Sequence, residues 1–203
     1  MRRVRIPLII FIIFSILSCA KSGTYIISIQ YKSLKPFSSL QEKIGSRLAV
    51  LPVKDERTNP LYIGRYLPLQ GISSYFKSDP FPLDIALTQS LSNLLSQHKI
   101  QVVPISFWDG KPESLKGMDT DSVLMIEIKK FWIEGKASAF RTEFKSQVHF
   151  VFHLGVKKES KVFRRNIEVE KEESDWRFRP EKVEEMVNDL LGEIFNSFFS
   201  NPY

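Results

Sequence analysis

Alternating apolar and polar positions mark three strands in the second half of the chain, at Ser122–Glu134, Ser138–Lys157 and Lys161–Glu172. In the middle strand the even positions from 140 to 156 are mostly apolar and the odd positions are mostly polar. A period of two turns one set toward a core and the other toward water. Three antiparallel strands are therefore predicted, with Phe140 on the core side. The connecting turns are predicted at Gly135-Lys136 and Glu159-Ser160.

Two segments have apolar residues at helical spacing, Leu83–His98 and Pro180–Ser200. In the first, leucines recur at i, i+4, i+7 and i+8, which places them on one helix face. Proline suits the first turn of a helix because it has no N–H to donate, so Pro82 and Pro180 mark the two starts. The apolar face of the second helix comprises Val183, Val187, Leu190, Leu191, Ile194 and Phe198.

Three shorter strands are predicted in the first half, at Thr24–Lys32, Arg47–Val53 and Ile100–Ile105, with a polar loop over 33–46. The second is almost continuously apolar, which is typical of a strand buried on both faces. The strand–helix–strand order around the first helix favours two parallel neighbours joined by a right-handed crossover. The predicted fold class is therefore α/β: a mixed, largely antiparallel twisted sheet with two main helices packed on it, in a single domain spanning 24–203.

Residues 55–82 are broken by four prolines and two glycines and yet are rich in apolar side chains. Segments of this length without regular structure are often functional. We therefore expect Tyr62, Tyr66, Tyr75 and Phe76 to form a contact surface for a partner or a lipid, since aromatic side chains give a large contact area with few rotatable bonds. The structural alternative is a flap that covers the apolar sheet and completes the core.

A second aromatic segment, "SDWRFRP" at 174–180, alternates aromatic and cationic side chains. Trp176, Arg177 and Arg179 are candidate contacts for an anionic glycan, a lipid head group or nucleic acid. The alternative is a turn at the sheet edge whose aromatic rings cover the sheet and whose arginine stems lie along it.

The chain begins with a short cationic segment, since Arg2, Arg3 and Arg5 precede an apolar run that ends at Ser18. The run is shorter than the about 20 apolar residues that cross a bilayer, so residues 1–18 are predicted to be a signal peptide. Cys19, the one cysteine of the sequence, follows directly. A lone thiol in an exported protein is a liability unless it is modified.

The tetrapeptide Ile16-Leu17-Ser18-Cys19 resembles the lipobox of bacterial lipoproteins. In that family the cysteine sulfur receives a diacylglyceryl group, the signal peptide is cut before the cysteine, and the new amino group is acylated. The resemblance implies covalent lipid on Cys19, hence a membrane anchor, with a short tether over 19–23. Ala20 and Lys21 lack the aspartate of inner-membrane retention, which under enterobacterial sorting implies the outer membrane, with the domain facing the periplasm.

Loss of the leader changes the charge balance of the chain. There are 29 Lys and Arg against 23 Asp and Glu, and three of the arginines leave with residues 1–18. The net charge falls from +6 to +3, so the basic composition gives no reason to expect a nucleic-acid partner. Because Cys19 is the one cysteine, neither a disulfide within the chain nor a cysteine-based metal site is predicted.

The usual catalytic motifs do not occur in the sequence, and two weaker constellations remain. His149 and His153 are four residues apart on a predicted strand, about 13 Å, too far to share a zinc ion unaided.

Asp55 and Glu56 follow a buried strand and have the residue types of an acid–base pair in a hydrolase. We instead expect strand-end charges, with Asp55 and Arg57 pairing with neighbours or capping the turn, and an exposed pair of that kind contributes about 0–1 kcal/mol. The sequence therefore predicts neither a cofactor, a metal site nor an enzymatic activity.

The order of these elements, with "LAVLPVKDER" at 48–57 and "LMIEIKKFW" at 124–132, resembles the YajG-like lipoproteins of Gram-negative envelopes. The resemblance spans nearly the whole mature chain and implies an envelope location far more than an activity. We therefore expect a membrane-anchored, non-enzymatic binding or accessory component whose partner is another envelope protein or a lipid. The alternative is an auxiliary lipoprotein of a lipid or lipopolysaccharide transport complex, with 55–82 and the sheet lining an apolar cleft.

Overall fold

The computed structural model describes residues 23–31 and 40–202. The predicted signal peptide, Cys19 and the tether as far as Ser22 lie outside the described residues. The predictions made for those positions therefore stay predictions.

Within the described residues the chain forms nine strands and three helices. In chain order the strands are β1 (Thr24–Ser28), β2 (Arg47–Val50), β3 (Lys54–Asp55), β4 (Gly64–Leu67), β5 (Ser74–Asp79), β6 (Gln101–Pro104), β7 (Ser122–Ala137), β8 (Thr142–Val156) and β9 (Lys161–Asp175). The helices are α1 (Leu40–Ile44), α2 (Leu83–Gln97) and α3 (Pro180–Ser200), with 3-10 turns at Glu113–Gly117 and Lys157–Glu159.

The long strand β7 organises the sheet because it is paired along both edges. One edge pairs with antiparallel β8, which in turn pairs with antiparallel β9. The other edge is shared by three short parallel strands: β2 at its start, β3 at its middle and β4 at its end. Beyond these, β6 runs parallel to β2, β5 runs antiparallel to β4, and β1 runs parallel to β5. The result is a mixed, mostly antiparallel open sheet in a single domain, which confirms the predicted fold class.

Helices α2 and α3 cover one face of the sheet, called the inner face below. Phe150 of β8 and Leu191 of α3 are fully buried there, and Phe152 stacks on Phe198 with ring centroids 4.2 Å apart. Burial of each such side chain contributes about 1.5–3 kcal/mol relative to exposure. The apolar face predicted for the last helix is confirmed, since all six of its residues are buried.

The alternation predicted for the middle strand is confirmed from Thr142 to Val156, where every even position is buried. Phe140 is the exception: it is 93% exposed instead of facing the core. It lies in the turn between β7 and β8, which closes when the Ser138 N–H donates to the Arg141 carbonyl at 2.7 Å.

The turn predicted at Gly135-Lys136 is wrong, because β7 continues through both residues to Ala137. A Cβ on Gly135 would lie 3.0 Å from the ring of Phe144. The glycine therefore makes room for that ring and does not form a turn. The turn predicted at Glu159-Ser160 is confirmed, and Ser160 there has a left-handed φ of 52°.

The segment 55–82 is not a long loop, because it contributes β4 and β5 to the sheet. In β5 the buried positions are Ser74, Phe76 and Ser78, whereas Tyr75 and Lys77 are partly exposed. Two of the three inward residues are serines and one outward residue is aromatic, so the apolar alternation that signals a strand is hidden. The predicted flap over the sheet is wrong for the same reason.

Three smaller differences concern the first half of the chain. The first strand ends at Ser28 and not at Lys32. Strand β2 ends at Val50, and Pro52 just beyond it has no N–H for a continuing ladder. The predicted polar loop over 33–46 contains α1, whose Leu40 and Ile44 are almost fully buried.

A smaller apolar cluster covers the outer face of the sheet near the start of β7. It joins Trp108 and Leu115 to Ala49 of β2 and Val123 of β7. The indole N–H of Trp108 donates to the Ser114 hydroxyl at 2.9 Å, which holds this segment in place. The outer face at β4 and β5 carries partly exposed side chains instead, and it contains the candidate site.

Candidate functional site

The outer face of β5 carries a row of aromatic side chains around one cation. Tyr75 of β5 stacks on Tyr62 with ring centroids 4.5 Å apart. The ammonium of Lys77 lies 5.5 Å from the centre of the Tyr62 ring and 5.2 Å from that of Phe81. Each such cation–π contact contributes about 0.5–1 kcal/mol at an exposed site. These four residues, Tyr62, Tyr75, Lys77 and Phe81, are called the aromatic strip below.

A buried ion pair fixes the backbone that presents the strip. The Arg57 guanidinium donates to both carboxylate oxygens of Asp55, from Nε at 2.8 Å and from Nη2 at 2.7 Å. It also donates to the carbonyls of Tyr62 at 2.9 Å, Pro60 at 3.1 Å and Phe131 at 3.3 Å. The sequence predicts that Asp55 and Arg57 pair with neighbours or cap the turn, and the structure pairs them with each other. The predicted exposure is wrong, because the Arg57 and Asp55 side chains are only 5% and 10% exposed.

A hollow of 430 Å³ adjoins the aromatic strip. It is lined by Asp55, Pro60, Leu61, Phe81, Pro82 and Asp84. Leu61 is 42% exposed and Phe81 is 48% exposed, and apolar side chains gathered in this way are typical of contact surfaces. Lys77, Phe81 and Leu61 were not predicted as site residues from the sequence. The available signal for Phe81 was its place between two prolines, which keep it out of a helix interior or a ladder.

Tyr66 and Phe76, two of the four aromatic residues expected to form the contact surface, face the core. Phe76 is fully buried, so its assignment to a surface is wrong. Tyr66 stacks on Phe178 with ring centroids 3.9 Å apart, and Tyr25 lies 5.0 Å from the same ring. The four predicted residues therefore divide: Tyr62 and Tyr75 lie in the strip, and the other two help to complete the core.

The turn between β9 and α3 places its aromatic residues on opposite sides. Phe178 points inward to the cluster with Tyr66, whereas Trp176 is 66% exposed. The Arg177 guanidinium lies 4.2 Å from the centre of the Trp176 ring. Arg179 donates to the Asp175 carboxylate at 3.0 and 2.5 Å, and this pairing lowers the pKa of Asp175. Of the three residues predicted as ligand contacts here, Trp176 and Arg177 are exposed, whereas the Arg179 guanidinium is paired with Asp175.

The carboxylates of Asp55 and Glu56 are each bound by separate cations. Glu56 pairs with Lys129 and Lys54, and these hydrogen bonds lower its pKa to about 2. A carboxylate with such a pKa is ionised at neutral pH and is a weak base. Asp55 is held by Arg57, so neither group is arranged as the acid–base pair of a hydrolase.

The two histidines of β8 lie on its outer side beside different carboxylates. His149 Nδ1 is 3.4 Å from Glu168, and His153 Nε2 is 3.8 Å from Glu127. Burial lowers the pKa of His153, so its imidazole is neutral at pH 7. Across 23–31 and 40–202, no three His, Cys, Asp or Glu side chains are grouped so that they could hold a metal ion.

The apolar cleft of the lipid-transport alternative requires residues 55–82 to fold over the sheet. These residues instead lie in the sheet as β4 and β5, so the cleft is not formed by them. A cavity of 550 Å³ beside the end of β7 is lined mainly by charged side chains, Lys136, Arg141, Glu143 and Lys145 among them. Such a lining does not suit an acyl chain.

None of the helices in the described part of the chain has the length and apolar character needed to span a bilayer.

No model of a known protein family matches the chain, and no curated protein matches it. An uncharacterised protein of known structure is similar with a TM-score of 0.50 at 12% identity, over 90% of this chain and 99% of that one. Lipoprotein GNA1162 from Neisseria meningitidis gives a TM-score of 0.40 at 13% identity, over 74% and 99%. A putative neuraminyllactose-binding hemagglutinin homolog from Helicobacter pylori gives 0.42 at 11% identity, over 83% and 88%. At these identities the likeness concerns the fold alone. It rests on the first structure, whose TM-score is 0.50.

Proposed function

We propose that this chain is a lipid-anchored protein of a bacterial envelope whose folded domain acts as a non-enzymatic binding or accessory component. The observation that carries the proposal is the small number of residues between Cys19 and the first strand. The Gly23 carbonyl already accepts a hydrogen bond from the Tyr75 N–H at 3.1 Å, and β1 begins at Thr24. Four residues of extended chain span at most about 14 Å. Lipid on Cys19 would hold the domain directly against the membrane.

The proposed location is the outer membrane, with the domain facing the periplasm. The residues after Cys19, which lack an aspartate, support it. Membership of the YajG-like family is a prediction that rests on the motifs at 48–57 and 124–132.

The proposed partner of the aromatic strip is another envelope protein. Recognition favours aromatic side chains whose positions are fixed in advance, because little conformational entropy is then lost on binding. The strip has this property, since Tyr62 is stacked on Tyr75 and its carbonyl is held by the buried Arg57. Phe81 and Leu61 add exposed apolar area next to it. A surface of this kind needs neither a cofactor nor a metal, and the cations that bind Asp55 and Glu56 support a non-enzymatic role.

The anchor is tested by replacing its cysteine. We expect Cys19→Ala to remove incorporation of an alkyne-labelled fatty acid in cells, because the thiol and the processing site are lost. Ser22→Ala, three residues further on, serves as the matched control and should label like the wild type. Equal labelling of the Cys19→Ala protein would contradict the anchor.

The partner surface is tested by photo-crosslinking in intact cells. A photoactivatable residue at Phe81 is expected to give a discrete protein adduct in full-length protein, because Phe81 is exposed within the strip. The same residue at Phe107, which is 76% exposed and lies outside the strip, is the control and should not give that adduct. Tyr62→Ala should weaken the adduct at position 81. The binding proposal fails if positions 81 and 107 give the same products, or if neither gives any.

A further inference from the structure

At one end of the sheet six neighbouring strands begin or end. In order across the sheet they are β1, β5, β4, β7, β8 and β9. Leu67 of β4 pairs with Lys136 near the end of β7, and Thr24 at the start of β1 pairs with Tyr75 near the start of β5. Thr142 at the start of β8 pairs with Ala137 and with Asp175. With neighbouring strands about 4.8 Å apart, this row of strand ends is about 24 Å wide.

The turns along this row expose large apolar side chains. The hairpin turn between β4 and β5 exposes Leu69 (65%) and Ile72 (60%). The turn between β7 and β8 exposes Phe140 (93%), and the turn after β9 exposes Trp176 (66%). These three turns are separated in sequence by tens of residues, and the register of the sheet brings them to the same end. An apolar side chain at the tip of each turn is more than turn formation requires, because turns favour Gly, Pro, Asn, Asp and Ser.

We propose that this end of the domain is a membrane-contact surface that inserts Leu69, Ile72, Phe140 and Trp176 into the surface of a phospholipid bilayer. The inference rests on the proposed lipid on Cys19. Gly23, the first described residue, lies at this end beside Ser74 and Tyr75, so a lipidated Cys19 is at most about 14 Å away. The anchor therefore brings these four side chains, and not the other end of the sheet, to the bilayer.

The chemistry of the turns fits the boundary between acyl chains and head groups. Tryptophan is enriched at membrane interfaces because its ring is apolar and its N–H is polar. Arg177 lies over the Trp176 ring, where its guanidinium can reach a lipid phosphate while the ring is inserted. The charged cavity beside the end of β7 also lies near this end, but its carboxylates are paired with cations. The pairs are Glu143 with Arg141 at 2.7 Å, Glu134 with Arg65 at 2.6 Å, Glu172 with Lys145 at 3.4 Å and Glu173 with Lys182 at 3.0 Å, and Asp175 pairs with Arg179. The bilayer therefore does not meet these carboxylates as unpaired charges.

The orientation is tested with full-length lipidated protein in vesicles of phosphatidylethanolamine and phosphatidylglycerol that carry bromine on the acyl chains. Bromine quenches a tryptophan only on close approach. In a Trp176→Phe background, Phe140→Trp places a reporter at the proposed contact, and Phe107→Trp places a matched exposed reporter beside the start of β7. Trp108 and Trp132 remain in every variant, so each reporter is measured as the emission that it adds to the Trp176→Phe protein. We expect brominated lipid to remove most of the emission added by the first reporter and to leave that of the second as in unbrominated vesicles.

Flotation of the same vesicles separates this inference from the anchor. If the protein floats with the vesicles and the Phe140→Trp reporter is not quenched, the contact surface is wrong and the anchor stands. Equal quenching of both reporters likewise overturns the orientation. If the wild-type protein fails to float, the anchor is wrong, and the contact surface falls with it. A protein adduct, instead of a lipid adduct, from a photoactivatable residue at position 140 in cells would also overturn the proposal.

Discussion

Arg57 is the residue on which the arrangement of the outer face depends most directly. Its guanidinium is buried and yet fully used, with Asp55 on one side and the carbonyls of Pro60, Tyr62 and Phe131 on the other. A buried charge is tolerated only when it is paired and hydrogen-bonded in this way. One side chain therefore links the end of β3, the segment before β4 and the middle of β7.

Loss of this side chain should be costly. We expect Arg57→Ala to lower the free energy of unfolding by about 3–5 kcal/mol, because it leaves the buried Asp55 carboxylate and three carbonyls without their donor. Arg65→Ala is the matched control: Arg65 pairs with Glu134 at 2.6 Å, but both side chains are more than 30% exposed, so the cost should be about 0–1 kcal/mol. Urea denaturation of both variants checks the difference, and equal costs would contradict the structural role of Arg57.

At the scale of elements, the sequence predicts best where side chains alternate in long runs. The bounds of α3 and the buried face of β8 follow from their periodicity, because apolar positions there face a single core. Strand β5 cannot be predicted from the sequence pattern, because Ser74 and Ser78 occupy inward positions. Its hydrogen-bond partners in β1 also lie far away in sequence. Tyr62 and Tyr75 could be predicted as surface residues from the aromatic composition of 55–82. The cation–π contacts of Lys77 with Tyr62 and Phe81 could not, because they depend on how the strands are placed.

Strand β4 depends on a close backbone approach to β7. A Cβ on Gly64 would lie 2.1 Å from the carbonyl oxygen of Ile133, so the strand can pair at this register only with glycine there. We expect Gly64→Ala to lower the free energy of unfolding by about 1–3 kcal/mol, as overpacking does elsewhere.

Gly117→Ala is the control for this substitution, because no atom beyond Gly117 and its two chain neighbours lies within 4 Å of the position its Cβ would take. It should change the free energy of unfolding by at most about 0.5 kcal/mol. Thermal or urea denaturation of the two variants is the measurement. A neutral Gly64→Ala variant would mean that β4 is displaced from β7 at little cost.

At the scale of the whole molecule, the proposed anchor and the aromatic strip occupy different places on one rigid sheet. The strip begins at Tyr75, close to the end that carries Gly23, and extends along β5 to Phe81 beyond its other end. In the proposed orientation a partner could therefore reach Phe81 from the side while the turns at the other end face the bilayer. The core that holds these surfaces in fixed relation runs from Ile27 to Phe199, downstream of the tether.

The anchor should consequently be separable from the fold. We expect unlipidated Cys19→Ala protein to unfold in urea within about 0.5 kcal/mol of the lipidated protein, compared in the same detergent. A larger loss of stability would show that lipid, or residue 19 itself, supports the domain.

The pairing of β1 with β5 decides how the proposed anchor would transmit force to the domain. The two strands are parallel over five residue pairs, and β1 is the first element after the tether. A pull through a lipidated Cys19 would act along β1 at its N-terminal end, so it would slide that strand past β5 and load the connecting hydrogen bonds together. Opened from the side, the same bonds would break one after another. With lipid on Cys19 as proposed, the domain would be attached to its anchor in shear, so that a small number of hydrogen bonds would share the tension.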